Sequence, residues 1–339
     1  MRMDERKFLI LQAIIDDYIS TAMPVGSRTI SRKSGVGFSP ATIRNEMSDL
    51  EELGYLDQPH TSAGRIPSLK AYRLYVDQLM KVANLSEEES RNINDHLNLR
   101  TAQTEEVIRS AAKALSDATH YTSVILAPQL NTLRIKRIQF VPVTSNTVLM
   151  ILVTTAGIVK DAIIHVPAGL TADHLYMISK ALTERLQDQP MHRVREIFEQ
   201  MIGETSESRQ LLTDVMKVVE SKLEAPDGRD VVLGGTSNLL NYPEYADVNK
   251  ARNFLSVLET KDRLIPLLKQ NGGMEITIRI GPETGIKELE DCSVVSATYH
   301  IGDHSQGTLG IIGPTRMNYS RVISVLDYMG RMLSNILKE

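Results

Sequence analysis

The residues most suggestive of chemistry are Asn45, Thr42, Arg44 and Ser48, within Phe38-Ser-Pro-Ala-Thr-Ile-Arg-Asn-Glu-Met47. The chemistry they suggest is recognition. An amide can read adenine in a major groove, and hydroxyl or guanidinium groups beside it can hold phosphates. The stretch carries a helix start signal: Ser39 can cap, and Pro40 then takes the first helical position. Ile43, Met47 and Leu50 come next at the spacing of a buried stripe, and Gly54 ends the helix. With Ile43 on the core face, a turn of about 100° per residue puts Ala41, Asn45 and Ser48 on the opposite face, flanked by Thr42 and Arg44. An ordinary amphipathic helix with a polar surface has the same pattern, so the helix alone leaves both readings open.

Other chemistry finds less support. Gly234-Gly235 comes after a strand signal, but neither dinucleotide nor P-loop spacing is present and the expected lysine is missing. His300 and His304 flank Gly302-Asp303, which reads as a strand-end turn; a metal would need a third or fourth rigid ligand. The single cysteine, Cys292, has no base nearby in sequence and excludes intrachain disulfides and cysteine-cluster zinc sites. No Gly-x-Ser-x-Gly elbow appears. The expectation is a chain without catalytic residues, metal or cofactor.

The elements that must position Asn45 are legible on either side. Asp4 to Ser20 reads as a helix with Phe8, Leu11, Ile15 and Tyr18 on one stripe, broken by Pro24 and Gly26. Ser27 can cap a short helix over 28–34, and Gly35-Val-Gly37 turns the chain into the next one. Helix, short helix, tight turn and helix make the helix-turn-helix layout. Residues 55–58 and 65–67 can then pair as a hairpin wing, whose tip carries His60, Thr61, Ser62 and Arg65. An arginine beside a flexible glycine can enter a minor groove or touch a phosphate; it can equally be a surface turn residue. A helix over 70–82 closes the unit, with Tyr72, Tyr75, Val76 and Leu79 as core.

The net charge of the 339-residue chain is −4, yet its distribution favours an anionic partner at the N-terminal end. Residues 1–81 hold 11 Lys and Arg against 10 Asp and Glu. No acid occurs between Asp17 and Glu46, where Arg28, Arg32, Lys33 and Arg44 lie, nor between Asp57 and Asp77, where Arg65, Lys70 and Arg73 lie. Two positive windows therefore flank the helix that starts at Ser39. The longest apolar run, Val148 to Val153, is far too short to span a bilayer, and no signal-peptide core opens the chain. A cytoplasmic location without membrane contact is expected.

The remaining pattern is strands, a largely helical block, and strands again. Residues 84–89 are polar and form the best boundary, with Ser86 available to cap the next helix. A helix over 104–119 precedes strands at 123–127, 135–141, 147–153 and 158–166. Helices come after them at 172–186, 193–202, 207–223, 247–258 and 261–269, interrupted by a short strand at 231–233. Strands return at 274–280, 294–298 and 307–312, before a final helix over 318–337 that packs across a sheet or forms a dimer contact.

Ser39 to Met47, Leu50-Glu-Glu-Leu-Gly-Tyr-Leu56 and especially Gln58-Pro-His-Thr-Ser-Ala-Gly-Arg-Ile-Pro67 resemble the heat-inducible transcription repressor family HrcA. Gly234-Gly-Thr-Ser-Asn-Leu-Leu240 and Gly310-Ile-Ile-Gly-Pro-Thr-Arg-Met317 resemble the same family, so the likeness spans essentially the whole chain. Ala71 departs from the glycine expected before Tyr-Arg, and an ordinary helix tolerates it. The resemblance implies an α+β multidomain protein: a winged helix-turn-helix at 1–82, a GAF-like α+β domain in two segments, 83–168 and 272–339, and an inserted, mostly helical dimerisation domain at 169–271. It implies a homodimeric, DNA-binding repressor of chaperone genes on double-stranded DNA carrying an inverted-repeat operator, kept competent by the chaperonin. The expected DNA-binding residues are Arg28, Arg32, Lys33, Ser39, Thr42, Arg44, Asn45, Ser48, His60, Thr61, Ser62 and Arg65. The alternative is a metabolite-responsive winged-helix regulator whose GAF-like domain binds a ligand; an enzyme with an N-terminal DNA-binding domain has nothing positive in its favour.

Overall fold

A computed structural model describes residues 3–33, 35–60, 64–97, 104–127, 134–155, 157, 159–166, 170–189, 191–204, 209–223, 231–268, 276–301 and 305–337. The head of the molecule comprises α1 (Glu5–Thr21), α2 (Ser27–Ser31), α3 (Pro40–Glu52), the two-stranded ribbon β1 (Leu56–Asp57) and β2 (Ile66–Pro67), and α4 (Leu69–Leu74). Ile10, Leu11, Ile14 and Ile15 of α1 are fully buried against Ile30, Ile43 and Leu50. The short second helix stops at Ser31, with Arg32 as its cap. The sequence predicts that the last helix of the head runs evenly to 82. It instead turns into one π-helical segment over Tyr75–Leu79 and ends at Met80, whose backbone is extended. Tyr75 is held there by its hydroxyl, which donates to Asp16 at 2.8 Å.

The sheet domain starts with α5 (Glu87–Leu97), opened by a capping box: Ser86 Oγ accepts from the Glu89 amide, and Glu89 Oε2 accepts from the Ser86 amide. Helix α6 (Thr104–Thr119) leads into β3 (Thr122–Leu126). Strands β4 (Ile135–Thr144), β5 (Thr147–Thr154) and β6 (Val159–His165) form a separate antiparallel sheet in that order, succeeded by α7 (Ala172–Leu186), α8 (Met191–Glu204) and α9 (Arg209–Leu223). The chain returns as β7 (Val231–Gly234), α10 (Val248–Glu259), α11 (Ile265–Leu268), β8 (Ile276–Ile280), β9 (Cys292–Ile301), β10 (Ser305–Pro314) and α12 (Tyr319–Ile336).

The main sheet is five-stranded and antiparallel, ordered β7-β3-β10-β9-β8. Its two faces obey the strand alternation. Ile125, Val295 and Ile311 belong to the same core as Val107 and Leu115 of α6 and Val322 and Leu326 of α12. Their neighbours Val124, Val294 and Ile312 join Phe254 and Val257 of α10 and Leu268 of α11 in a second core. The result is helix, sheet and helix in three layers.

The strand pairing runs across the expected division at 168/169 and 271/272. That division puts strands β4–β6 in the main sheet domain, whereas their partner strands are one another; it puts β7 in the insertion, whereas β7 pairs with β3. The interposed unit therefore runs from β4 to α9, between two neighbouring strands of the main sheet. Helices α7–α9 make up most of its regular structure, with the three strands beside them. The open edge of β4 is covered by α7: the Phe140 amide donates to Ser179 Oγ at 3.0 Å, and Thr183 Oγ1 donates to the Ile138 carbonyl at 3.0 Å. No helix among the described residues is long and apolar enough to cross a membrane.

Candidate nucleic-acid interface

Helix α3 is fixed at both ends. Ser39 Oγ accepts from the Thr42 amide at 3.1 Å, and Pro40 takes the first helical position. At the other end Gly54 has φ +75°, its amide donates to the Glu51 carbonyl, and the Tyr55 amide donates to the Leu50 carbonyl. That pair of bonds is a Schellman closure, and it needs the left-handed conformation that glycine adopts without strain. Lys70 adds a cation there, donating to the Leu53 carbonyl at 2.8 Å.

The inner face buries Ile43, Met47 and Leu50. Ala41, Arg44, Asn45 and Ser48 are exposed, as the periodicity requires, and Thr42 is half-buried with its hydroxyl 2.9 Å from Ser39 Oγ. Arg28 and Arg32 are also exposed, and neither they nor Arg44 form an ion pair among the described residues. His60 is exposed; Thr61 and Ser62 lie outside the described residues.

Two expected cations are already engaged. Lys33 Nζ lies 2.7 Å from Asp17 Oδ1. Arg65 immediately precedes β2, on the turn side of the Asp57–Ile66 pair, and its backbone pairs with Val25 through two bonds of 2.9 Å. Its guanidinium reaches Glu51 at 2.7 and 2.8 Å and is 20% exposed. A phosphate contact by Arg65 would have to displace that pair. The neighbouring glycine has a steric cause, since a Cβ at Gly64 would overlap the Val25 carbonyl.

Sequence reading missed how the acids of α3 are disposed of. Glu46 and Asp49 both meet Lys7 Nζ, at 2.8 and 3.0 Å, and Arg6 adds a contact to Glu46 at 3.3 Å. Glu46 first, then Asp49, hold the Lys7 ammonium well above its usual range. With Glu51 taken by Arg65, the acid left on the outward face is Glu52, in the last turn. The helix up to Ser48 thus presents Arg44, Asn45 and Ser48 without a competing unpaired carboxylate. No local signal could have shown this, because Lys7 and Glu46 belong to different helices.

Two of the other chemical candidates have structural partners in this fold. Gly234-Gly235 carries β7 into a 3₁₀ turn whose Asn238 amide donates to Ser116 Oγ at 2.9 Å. Burial pushes the Cys292 thiol up to about 12, and its sulfur lies 3.1 Å from the Tyr245 hydroxyl. His304 is outside the described residues.

A small head presenting a polar helix face, joined to a body of mixed helices and sheets, defines the class as an α+β transcription regulator. Residues 105–323 match the family model described as HrcA protein C terminal domain. The heat-inducible transcription repressor HrcA of Ruminiclostridium cellulolyticum is 44% identical, covering 100% of this chain and 99% of its own. That of Clostridium tetani is 43% identical, covering 100% and 97%. A crystal structure of a hypothetical protein solved at 2.2 Å resolution is 26% identical, with a TM-score of 0.66 over 99% of both chains. The chain belongs to the HrcA family of heat-inducible transcription repressors. That membership does not favour the metabolite-responsive alternative.

Proposed function

We propose that the head is a winged helix-turn-helix and that α3 reads the major groove of an inverted-repeat operator at chaperone genes. The observation that carries this reading is the outward Asn45 on a helix whose other acids are bound inward by Lys7 and Arg65 or confined to its last turn. Asn45 would contact base edges, with Thr42 and Ser48 beside it. Ser39 would hold the helix entry against a phosphate. Arg28, Arg32 and Arg44 supply phosphate affinity, with Lys33 behind them. The ribbon is the wing, with His60 toward its tip over the minor groove and Arg65 bracing the start of its return strand; Thr61 and Ser62, outside the described residues, are proposed to contact DNA with them.

Reading an inverted repeat takes two heads related by a two-fold axis. The three-stranded sheet supports a homodimer through the interposed unit. One face is buried through Ile138, Phe140, Met150 and Leu152; the other leaves Val141, Val159 and Ile163 exposed and Leu149 and Ile151 half-buried. Registry sets Leu149 between Val141 and Ile163, giving a continuous apolar strip suited to a second copy of itself. The five-stranded domain is the GAF-like body. Dependence on the chaperonin, which family membership suggests, would act through this body in the cytoplasm.

Selection of random duplexes by the purified chain, with and without chaperonin, tests the reading. An inverted repeat should be enriched, more strongly with chaperonin. Recovery of no common sequence, or of a single unpaired half-site, would overturn it.

A further inference from the structure

The head is clamped to the body at a point that neither helix propensity nor hydrophobic burial requires. Arg316 lies two residues after β10 and three before α12, beside the fully buried Met317, and is itself 8% exposed. Its Nη1 donates to the Ile19 carbonyl of α1 at 3.0 Å. Its other nitrogens pair with both carboxylate oxygens of Glu244, and its Cζ lies 5.7 Å from the centroid of the Tyr242 ring. Ile19 sits in the last turn of α1, where carbonyls lack helical partners and a cation is favoured. That turn has no basic residue of its own. The left-handed Ala22 closes the Tyr18 carbonyl, and the body supplies, through one planar fork, a cationic donor for the Ile19 carbonyl beside it.

The orientation of this fork is over-determined. The Tyr242 ring stacks on Tyr121, centroids 5.2 Å apart, and the Tyr242 hydroxyl donates to the His120 carbonyl at 3.0 Å. A second tie lies elsewhere on the head, where Arg73 Nη2 donates to the Ile278 carbonyl at 2.9 Å and the same guanidinium pairs with Glu283. A third pins the connecting segment: the Ala83 amide donates to Ser320 Oγ at 2.8 Å, and Ser320 Oγ donates to the Lys81 carbonyl at 2.6 Å. Of the three, the Arg316 fork is the most buried and grips the helix that carries Lys7, the partner of α3.

We infer that Arg316 is a positioning residue for operator binding: held by Glu244 and Tyr242, it fixes the angle of α3 to the body and so sets which half-site spacing a dimer can span. The inference rests on the operator reading above. A rigid dimer binds two half-sites only when their separation and helical phase match its own, whereas loosely tethered heads tolerate many spacings with a lower effective concentration. Arginine is required because lysine offers no planar fork to serve Glu244 and Ile19 together.

The test uses the full chain and the duplex recovered by selection, as the intact inverted repeat, as one half-site, and with spacers lengthened in steps through one helical turn. Arg316→Ala and Glu244→Gln should keep the affinity for one half-site. They should lose about ten-fold or more of the advantage of the intact repeat, and their affinity should stop oscillating with spacer length. Arg316→Lys should fall between them and the parent chain. Glu244→Gln and Arg316→Lys decide the matter if Arg316→Ala does not fold. A parental spacing profile in folded, dimeric variants would overturn the inference, as would an equal loss on one half-site and on the repeat. If the parent chain recovers no repeat, the operator reading itself fails, and it fails before any variant is compared.

Discussion

Lys7 Nζ lies 2.8 Å from Glu46 Oε2, with the lysine side chain 9% exposed and the glutamate 11%. This pair joins the first helix of the head to the inward side of the helix proposed to read DNA. Removing Lys7 leaves Glu46 with its longer contact to Arg6 and takes the ammonium from Asp49, an imbalance inside a largely buried site. Lys7→Met should therefore destabilise the head by about 3 kcal/mol, while Lys7→Met with Glu46→Leu should recover part of the loss. Hydrogen exchange at the α1 and α3 amides reads this locally; unchanged protection in the single variant would show that the pair does not join the helices energetically.

The basic residues should separate into two kinds. Arg28→Ala and Arg32→Ala should each lower the slope of log affinity against log salt by about one, as lost phosphate contacts do. Arg65→Ala should weaken binding to all sequences but change the slope by clearly less, because Glu51 already neutralises it. Titrations over a range of salt concentrations compare them directly. A slope change at Arg65 equal to that at Arg28 would return it to the phosphate contacts.

Ile163 is 64% exposed on the apolar strip of β6. Ile163→Asp should leave the fold intact and shift the chain from dimer to monomer in sedimentation, with loss of the inverted-repeat advantage over one half-site. Dimers of undiminished stability would move the proposed contact elsewhere.

The carboxyl of Glu89 is held below its usual range, first by the Ser86 amide and hydroxyl and then by Arg321. A depressed carboxyl stabilises the fold above its unfolded pKa, near 4.5, and that contribution is lost as pH falls through the folded value. Helix α5 should therefore loosen below about pH 4.5, monitored by circular dichroism or by the Ser86 amide signal. Glu89→Gln should remove that step.

How much of the fold was legible depends on where each contact lies in the chain. Both ends of α3 could be read because Ser39, Pro40 and Gly54 act within a few residues of themselves. The outward position of Asn45 came from the same local period. The pairing of β7 with β3 could not be read, since about a hundred residues intervene and a short apolar strand carries no mark of its neighbour. For the same reason the sequence does not show that β4–β6 form a sheet of their own. The partners of Arg65 could not be read, because a glycine beside an arginine suggests a free turn, whereas the glycine answers to the Val25 carbonyl and the arginine to Glu51. The capping box of α5 was half visible in Ser86; its Glu89 partner and the Arg321 contact needed the fold.

The most direct measurement is the affinity of Asn45→Ala for the selected operator and for random duplex at one salt concentration. If Asn45 reads a base, operator binding should weaken by about 1–3 kcal/mol while random binding stays unchanged, so that discrimination falls by the same amount. Equal weakening on both duplexes, or none on either, would contradict base reading by α3.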